Sequence, residues 1–293
     1  MTATISGSTK LAGVIGWPIE HTLSPAMHNA AYAALGLDWV YVPLGVPDEA
    51  GVRRVAAAAR SLPFVGFNVT MPYKQIALEL CDEVAQVAKI AGAVNTVHVV
   101  DGALIGYNTD GRGLLEALES EAGFVPQGTK IAVFGAGGAA SSAVVALVLG
   151  GASRVTIVNR SRERAEELAE RAALLGRDTE LVCLQPETSG DAVREADLVL
   201  NATSLGMKPG DPSPVPSEWL RPEHVVYDLV YGVPTKLIEE ARRVGANAHD
   251  GLGMLVCQGA TAADIWRDTA ESRMPRDVMR RAAEDAIAAR QAR

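Results

Sequence analysis

The segment KIAVFGAGGAASSAVVALV, residues 130–148, decides the fold. An apolar run typical of a buried strand leads into the glycine turn GAGG, residues 135–138, and an apolar helical segment follows from Ala139. This order of strand, turn and helix is the context in which the pattern GxGxxG/A binds a dinucleotide, here with Ala140 in the last position. The glycines let backbone N–H groups approach a pyrophosphate at the helix N-terminus. The segment therefore predicts a dinucleotide-binding Rossmann unit.

The second strand of this unit indicates which dinucleotide binds. An NAD site usually carries an acidic residue about 20 positions after the glycine turn, where it binds the ribose hydroxyls. That place holds Asn159, followed by Arg160, Ser161, Arg162 and Arg164. An alternative is that Arg162 and Arg164 pair with neighbouring glutamates on a solvated helix face. Arg160 directly follows the strand, so it is the main candidate to bind a 2′-phosphate, and NADP is favoured over NAD.

Composition sets the class of protein. The 293 residues are long enough for two domains, and with 48% hydrophobic and 21% charged residues the chain is typical of a soluble globular protein. A net charge of −8 argues against a nucleic-acid or anionic-membrane partner. Three widely spaced cysteines exclude a disulfide framework and a CxxC metal site. The first residues lack the pattern of a secretory signal, so we expect a cytoplasmic protein.

Strand-like and helical segments alternate along the chain, which predicts an α/β architecture with parallel sheets. Asp101-Gly102 predicts a hairpin turn between two strands. Ser24 followed by Pro25 predicts the N-cap and first position of a helix. Apolar spacing predicts one amphipathic helix from Pro72 to about Lys89.

Several polar residues in the first half are candidate site residues, each with a structural alternative. Thr22 and Ser24 could hold a carboxylate, or Ser24 could only cap its helix. Lys74 could be a surface lysine or one that serves proton transfer. Asp110 could be a helix cap, and spacing does not show that it meets Lys74. Five scattered histidines show no metal-ligand spacing, so no metal is expected.

Ordered motifs over nearly the whole chain resemble those of the shikimate dehydrogenase family, whose members reduce 3-dehydroshikimate to shikimate. They are WPIEHTLSPAMHN (17–29), GFNVTMPYK (66–74), GAVNTV (92–97), GYNTDGRG (106–113), GAGGAA (135–140), VNRSRER (158–164), NATSLGM (201–207), DLVYG (228–232) and DGLGMLVCQGA (250–260).

The resemblance implies roles for particular residues. It makes Lys74 and Asp110 the catalytic pair, and whether Lys74 transfers the proton or polarises the substrate oxygen stays open. The implied substrate-binding residues are Thr22, Ser24, Thr70, Lys74, Asn95, Asp110, Tyr231 and Gln258. The implied cofactor-binding residues are Gly135, Ala136, Gly137, Gly138, Ala139, Asn159, Arg160, Ser161, Arg164, Asn201, Thr203, Ser204, Met207, Leu229 and Gly251.

The resemblance also implies an organisation and an activity. Residues 1–109 would form a substrate-binding α/β domain on which helices in 253–293 pack back, residues 110–252 a Rossmann NADP-binding domain, with the active site in the cleft between them. The implied reaction is reversible hydride transfer between NADPH and 3-dehydroshikimate, a step of chorismate and aromatic amino acid biosynthesis. The expected partner is this small substrate, and the expected assembly is a monomer or homodimer.

Departures from the family pattern keep alternatives open. Thr22 replaces the first serine of the usual SxSP motif, and Gly232 and Val233 replace the usual asparagine and proline beside Tyr231. A quinate/shikimate or aminoshikimate dehydrogenase with relaxed cofactor use is therefore the nearest alternative. A non-catalytic NADP-binding regulatory module is an alternative of another class. Such a module would not need both the catalytic pair and the residues that would hold ring hydroxyls, so the presence of both argues against it.

Overall fold

The computed structural model describes residues 5–208, 210–269 and 273–292. The chain divides into two compact units. The first contains the described residues up to Thr109 together with those from Val256 onward, and the second is Asp110–Leu255.

The N-terminal part of the first unit is built on a six-stranded sheet of order β2-β1-β3-β5-β6-β4. Its strands are Lys10–Gly16 (β1), Trp39–Gly45 (β2), Phe64–Val69 (β3), Glu83–Val84 (β4), Thr96–Val100 (β5) and Ala103–Tyr107 (β6). Its helices are Ser24–Ala34 (α1), Glu49–Ala59 (α2), Ile76–Leu80 (α3) and Gln86–Ala91 (α4). One core lies between the sheet and α2–α4 and includes Ile15, Phe67, Val94 and Leu104.

This sheet is mixed, whereas the sequence predicted parallel sheets. Strand β5 runs antiparallel to both β3 and β6. The predicted hairpin is confirmed and accounts for the pairing of β5 with β6: Asp101 and Gly102 both have positive φ, 49° and 80°, as a two-residue type I′ turn requires. The carboxyl ends of β1, β3 and β6 and the amino end of β5 therefore lie at one edge of the sheet.

The predicted single helix from Pro72 to Lys89 is wrong. Residues 71–75 form turns, α3 is only five residues long, and the chain then becomes extended as β4 before α4 begins. Strand β4 pairs with β6, and the Asp82 carboxylate accepts hydrogen bonds from the Leu104 N–H at 2.7 Å and from Arg60 at 2.6 Å. These long-range bonds outweigh the helical apolar spacing. Lys74 consequently precedes α3 and lies in no helix.

The predicted cap of the first helix is also wrong. Leu23 occupies the N-cap position with no side-chain hydrogen bond, and Ser24 is the first helical residue. The Ser24 N–H donates to Thr22 Oγ1 at 3.3 Å. The threonine side chain thus satisfies a backbone donor near the helix start that a helix alone would leave unpaired.

The second unit is a parallel six-stranded sheet in the Rossmann order. Its elements are Asp110–Ala122 (α5), Lys130–Phe134 (β7), Gly138–Leu149 (α6), Arg154–Val158 (β8), Arg162–Ala173 (α7), Glu180–Leu184 (β9), Gly190–Glu195 (α8), Leu198–Asn201 (β10), Val225–Asp228 (β11), Lys236–Val244 (α9) and Asn247–His249 (β12). The spatial order β9-β8-β7-β10-β11-β12 places the glycine turn after the central strand β7. Strand β12 and helix α8 were not predicted.

Two further helices complete the description, Leu252–Arg267 (α10) and Arg276–Gln291 (α11). Within the first unit, α11 packs on α1, and the Trp266 indole of α10 donates to the Val97 carbonyl oxygen at 3.0 Å. A Cβ at Gly66 would collide with the Trp266 ring. Glycine at this strand position therefore admits the indole against the sheet.

Candidate active site

The candidate substrate residues of the first unit gather at the polar edge of its sheet. Thr22 and Ser24 follow β1, Thr70 follows β3, and Asn95 precedes β5. The Thr70 N–H donates to the Ile15 carbonyl oxygen at 2.9 Å, and a Cβ at Gly16 would collide with the Thr70 methyl group. Adjacent strands thus bring together residues that lie far apart in the sequence.

Asn95 is fixed by several hydrogen bonds in this edge. Its Oδ1 accepts from the Thr109 N–H at 2.8 Å and from Thr96 Oγ1 at 2.9 Å, and its Nδ2 donates to Thr109 Oγ1 at 3.0 Å. The same Nδ2 donates to Gln258 Oε1 at 3.3 Å, which places two predicted substrate residues side by side. Because both ends of the carboxamide are held, its orientation is set: oxygen inward and nitrogen toward Gln258.

Asn68 extends this network into the core. Its Nδ2 donates to the Asn95 carbonyl oxygen at 3.2 Å and to Thr96 Oγ1 at 3.0 Å, while its Oδ1 accepts from the Tyr41 hydroxyl at 2.8 Å. Asn68 is only 7% exposed. A continuous chain of hydrogen bonds therefore links Tyr41 through Asn68 to Asn95 and Gln258.

An aromatic cluster packs against the Tyr41 ring. The His28 ring stacks on Tyr41 with centroids 4.1 Å apart and planes 6° apart, and it is tilted against Trp266 at 5.8 Å. Complete burial lowers the pKa of His28 to about 3. His28 Nδ1 lies 3.3 Å from the Tyr32 hydroxyl, and Nε2 has no hydrogen-bond partner in the described parts of the chain. His28 is therefore a neutral packing group.

The two predicted catalytic residues lie in different units, and the structure leaves their pairing a prediction. Lys74 is half-buried, and its carbonyl oxygen accepts from the Val94 N–H at 2.9 Å. Asp110 is 5% exposed and is the first residue of α5, where a carboxylate is favoured by the helix dipole. A Cβ at Gly111 would lie 2.7 Å from the Ala146 Cβ, so glycine lets α5 pack closely on α6.

In the second unit, the glycine turn leaves room for a ligand beside the start of α6. Gly135 has φ +117°, and a Cβ there would lie 2.9 Å from the Ala202 carbonyl oxygen. A Cβ at Gly137, by contrast, would meet nothing within 4 Å. Helix α6 begins without a side-chain cap or an acidic residue in its first turn. The N–H groups of Gly138 and Ala139 therefore suit a pyrophosphate, as predicted for these positions.

The residues after β8 separate the two interpretations of the arginines. Arg162 forms a salt bridge with Glu166 at 2.8 Å, as the surface alternative proposed. Ser161 is the N-cap of α7 and accepts from the Arg164 N–H at 3.3 Å, and Asn159 Nδ2 donates to the Ser161 carbonyl oxygen at 2.8 Å. Within residues 5–208, 210–269 and 273–292, Arg160 forms no ion pair and is exposed. Its guanidinium is thus suited to binding a phosphate.

The NATSLGM loop is organised by Asn201. Its Oδ1 accepts from the Thr203 N–H and hydroxyl at 3.0 and 2.7 Å, and its Nδ2 donates to the Leu205 carbonyl oxygen at 3.1 Å and to Asp228 at 2.8 Å. Asn201 is fully buried, whereas Ser204 and Met207 are exposed. The buried Asn201 side chain therefore fixes the conformation of this loop through its hydrogen bonds to Thr203 and Leu205.

Asp228 anchors the same loop at the end of β11. Burial raises the pKa of Asp228, and its carboxylate accepts from Asn201, from the Thr235 hydroxyl at 2.7 Å and from the Val230 N–H at 3.0 Å. The next residue, Leu229, lies directly against Gly251, where a Cβ would collide with the Leu229 carbonyl oxygen. Two predicted cofactor residues are thus in contact.

Tyr231 is half-buried and is followed by Gly232 at φ +77°. A glycine fits this backbone where the usual asparagine is absent. Sequence reasoning did not identify Tyr41, Asn68, Thr96 or Asp228 as supports of the site. The motifs that contain Asn68 and Asp228 were recognised, but only the fold shows which partners these side chains reach.

Comparisons with known proteins show the family of the chain. Residues 14–97 match the family described as the shikimate dehydrogenase substrate binding domain, and residues 119–207 match that described as shikimate / quinate 5-dehydrogenase. A shikimate dehydrogenase (NADP(+)) of Citrifermentans bemidjiense is 48% identical over 266 residues, which cover 90% of this chain and 91% of that protein. The chain belongs to the shikimate dehydrogenase family.

Solved structures of the family share the fold. Shikimate 5-dehydrogenase of Thermus thermophilus in complex with NADP(H) and shikimate aligns with a TM-score of 0.83 and 36% identity, covering 95% of this chain and all of that one. Quinate dehydrogenase of Corynebacterium glutamicum in complex with NAD aligns with a TM-score of 0.86 and 30% identity, covering 94% of this chain and 99% of that one. The predicted two-domain α/β fold is confirmed.

Two other features of the described residues bear on function. None of the helices in residues 5–208, 210–269 and 273–292 is both long and apolar enough to span a bilayer. Over the same residues, no group of three or more His, Cys, Asp or Glu side chains is arranged to hold a metal ion.

Proposed function

We propose that this protein is an NADP-dependent shikimate dehydrogenase that transfers hydride reversibly between NADPH and 3-dehydroshikimate in aromatic amino acid biosynthesis. The observation that carries the proposal is the oriented Asn95–Gln258 pair at the polar edge of the first unit, in a chain that also has the Rossmann glycine turn. A small polyhydroxylated acid is the ligand that such a set of amides and hydroxyls suits. A cytoplasmic location belongs to the same proposal.

The polar edge of the first unit would bind the substrate by its oxygens. Thr22 and Ser24 would hold the carboxylate through their hydroxyls. Asn95 and Gln258 are joined by one hydrogen bond of 3.3 Å, and their two carboxamides together would bind a ring hydroxyl beside this bond. Thr70 and Tyr231 would complete the pocket. These assignments rest on the family resemblance and on the common edge shared by the first-unit residues.

We assign the proton chemistry to Lys74 and Asp110. The reaction needs a group at the substrate oxygen that gives or accepts a hydrogen bond as the carbon–oxygen bond order changes. Lys74 would polarise that oxygen or transfer its proton, and Asp110 would orient both lysine and hydroxyl. When bound, NADPH supplies the hydride.

The cofactor would lie along the second unit. Gly135, Ala136, Gly137, Gly138 and Ala139 would hold the pyrophosphate through backbone N–H groups, and Asn159, Arg160, Ser161 and Arg164 the phosphorylated ribose. Asn201, Thr203, Ser204, Met207, Leu229 and Gly251 would form the nicotinamide end. Arg160 distinguishes NADP from NAD in this arrangement, because a charge-assisted bond to the 2′-phosphate is available only with NADP.

The experiment that tests the proposal is an initial-rate assay at 340 nm that crosses shikimate and quinate with NADP and NAD. We expect turnover mainly with shikimate and NADP. Arg160→Ala should raise the KM for NADP by about 10- to 100-fold, since one such bond contributes about 1.5–3 kcal/mol. Arg162→Ala, which removes an arginine already paired with Glu166, is the matched control. Activity in none of the four combinations would exclude a dehydrogenase of these acids.

A quinate/shikimate dehydrogenase is the second candidate, favoured by Thr22 in place of serine and by the fold shared with the quinate dehydrogenase of Corynebacterium glutamicum. The added methyl group of Thr22 narrows the carboxylate end of the site. Thr22→Ser should then shift the ratio of kcat/KM between the two acids while the KM for NADP stays constant. An unchanged ratio would remove Thr22 as the determinant of substrate choice.

A further inference from the structure

The last turn of helix α11 contacts the loop that precedes α1. Arg290 Nη1 donates to the His21 carbonyl oxygen at 2.6 Å, and Arg290 Nη2 donates to the Thr22 carbonyl oxygen at 2.9 Å. Packing of α11 on α1, with Met279 and Ala283 fully buried, brings the guanidinium to this loop. Residues 268 or more positions apart are thus joined by two bonds from one side chain.

The two bonds hold the two peptide units on either side of the Thr22 Cα. The carbonyl groups of His21 and Thr22 flank the Thr22 residue, so holding both restricts rotation of its backbone. A planar guanidinium suits this because its two terminal nitrogens have a fixed spacing and direction. On its other side, the Thr22 N–H donates to the Ile19 carbonyl oxygen at 3.0 Å, and Thr22 Oγ1 accepts from the Ser24 N–H.

We propose that Arg290 is a positioning residue for the carboxylate end of the substrate site. Without touching substrate, it holds the loop that carries the Thr22 hydroxyl and the start of α1 that carries Ser24. It also places a cation at the backbone of this loop, which favours the approach of an anionic substrate. The inference rests on the proposed function, because it takes these two hydroxyls to be the carboxylate ligands.

The test compares Arg290→Ala, Arg290→Lys and the control Arg281→Ala in the full chain. Arg281 lies on the same helix, is exposed and pairs with Asp277, one turn away, at 2.8 Å. Arg290→Ala should raise the KM for shikimate by about 3- to 10-fold, as expected for the loss of exposed bonds to a charged group. The kcat and the KM for NADP should stay within about twofold, because the bonds lie at the carboxylate end alone.

The lysine variant separates geometry from charge. Arg290→Lys keeps the cation but cannot reach both carbonyl groups with a rigid fork, so its KM should fall between those of the wild type and Arg290→Ala. Wild-type KM with the lysine would mean that charge alone matters and would overturn the positioning role. A KM for shikimate equal to that of Arg281→Ala, or an equal rise in the KM for NADP, would overturn the proposal as well.

Wild-type activity distinguishes the two proposals. If the wild type turns over shikimate or quinate and Arg290→Ala behaves as Arg281→Ala does, only the role of Arg290 fails. If the wild type neither binds nor turns over either acid, the proposed function fails and the role of Arg290 fails with it. Melting temperatures within about 2 °C of each other would show that the KM change does not reflect unfolding.

Discussion

The two candidate ligand regions are built from different parts of the chain. At the edge of the first sheet, the polar atoms come from side chains: Asn68, Asn95, Thr96 and Thr109 are all 7% exposed or less and bond to one another. In the glycine turn of the second unit, they come from the backbone, and no side chain among the described residues caps α6. A ring with several hydroxyls needs donors and acceptors at defined places, whereas a pyrophosphate needs only a set of N–H groups.

The largest effect on turnover is expected at Lys74, the residue that would add proton chemistry to the polar edge of the first sheet. Lys74→Ala should lower kcat by at least about 100-fold, the range of a lost proton-transfer group, with the Kd for NADP unchanged. Steady-state rates at 340 nm and cofactor titration measure the two quantities. Lys89→Ala, at an exposed position of α4, is the control. A Lys74→Ala turnover within threefold of the wild type would remove Lys74 from the chemistry.

A substitution of Asn68 tests whether the polar edge of the first sheet depends on the buried residue beneath it. Asn68→Ala would deprive the Tyr41 hydroxyl, the Asn95 carbonyl group and Thr96 of a buried partner. The free energy of unfolding should fall by about 2–3 kcal/mol, and the KM for shikimate should rise. Urea denaturation and initial rates give these values. A stable variant with unchanged KM would mean that Asn95 holds its orientation without Asn68.

His28 makes the stability of the first unit depend on pH. Its imidazole has a pKa of about 3 when folded and an ordinary value near 6.5 when unfolded. Between these values only the unfolded chain takes up the proton, so the free energy of unfolding falls as the pH drops below about 6.5. From pH 7.5 to pH 5 this group should remove about 2 kcal/mol. His28→Phe keeps the stacked ring and should lose this part of the decline, measured by urea denaturation at both pH values.

If His28→Phe and the wild type lose equal stability between the two pH values, the imidazole is protonated in the fold, and the description of a neutral packing group fails. Groups common to both proteins cancel in this comparison, including the buried Asp228.

Two glycines of the same turn, Gly135 and Gly137, test the region that would bind through its backbone. Gly137→Ala adds a methyl group where the protein has open space, so stability should change by less than about 0.5 kcal/mol. The KM for NADP should rise about tenfold, because the methyl group occupies the approach of the pyrophosphate. Gly135→Ala should instead cost about 1–2 kcal/mol of stability, because its φ is +117° and Ala202 is close. Equal effects on stability would contradict this division.

Local features of the sequence predicted much of the fold. The glycine turn, the Asp101-Gly102 hairpin and most strands follow from a few adjacent residues, and the structure has them. The helix predicted from Pro72 failed because β4 pairs with β6, about 20 residues further on. Apolar spacing carries no information about such a partner.

Residue type and family motif predicted which residues belong to the candidate site. They did not predict the buried residues that support it. Asn95 and Gln258 were selected, and the structure brings them together. The buried support beneath Asn95 includes Asn68 and Tyr41, which are 27 residues apart and meet only because β2, β1 and β3 are neighbours. The contact of Arg290 with Thr22 has no local sequence signal either. The pairing of Lys74 with Asp110 stays a prediction.

The first unit takes its residues from both ends of the chain, and this has a consequence for biosynthesis. Trp266, which lies against Gly66 and beside the stacked His28 ring, is translated long after the strands that it covers. A nascent chain emerging from the ribosome can therefore complete the Rossmann sheet while the earlier sheet still lacks its indole cover and helix α11. During that interval the part of the earlier sheet that Trp266 covers in the complete fold is open to association with other chains. We therefore expect chaperones that bind nascent chains to act mainly on the strands of the first sheet.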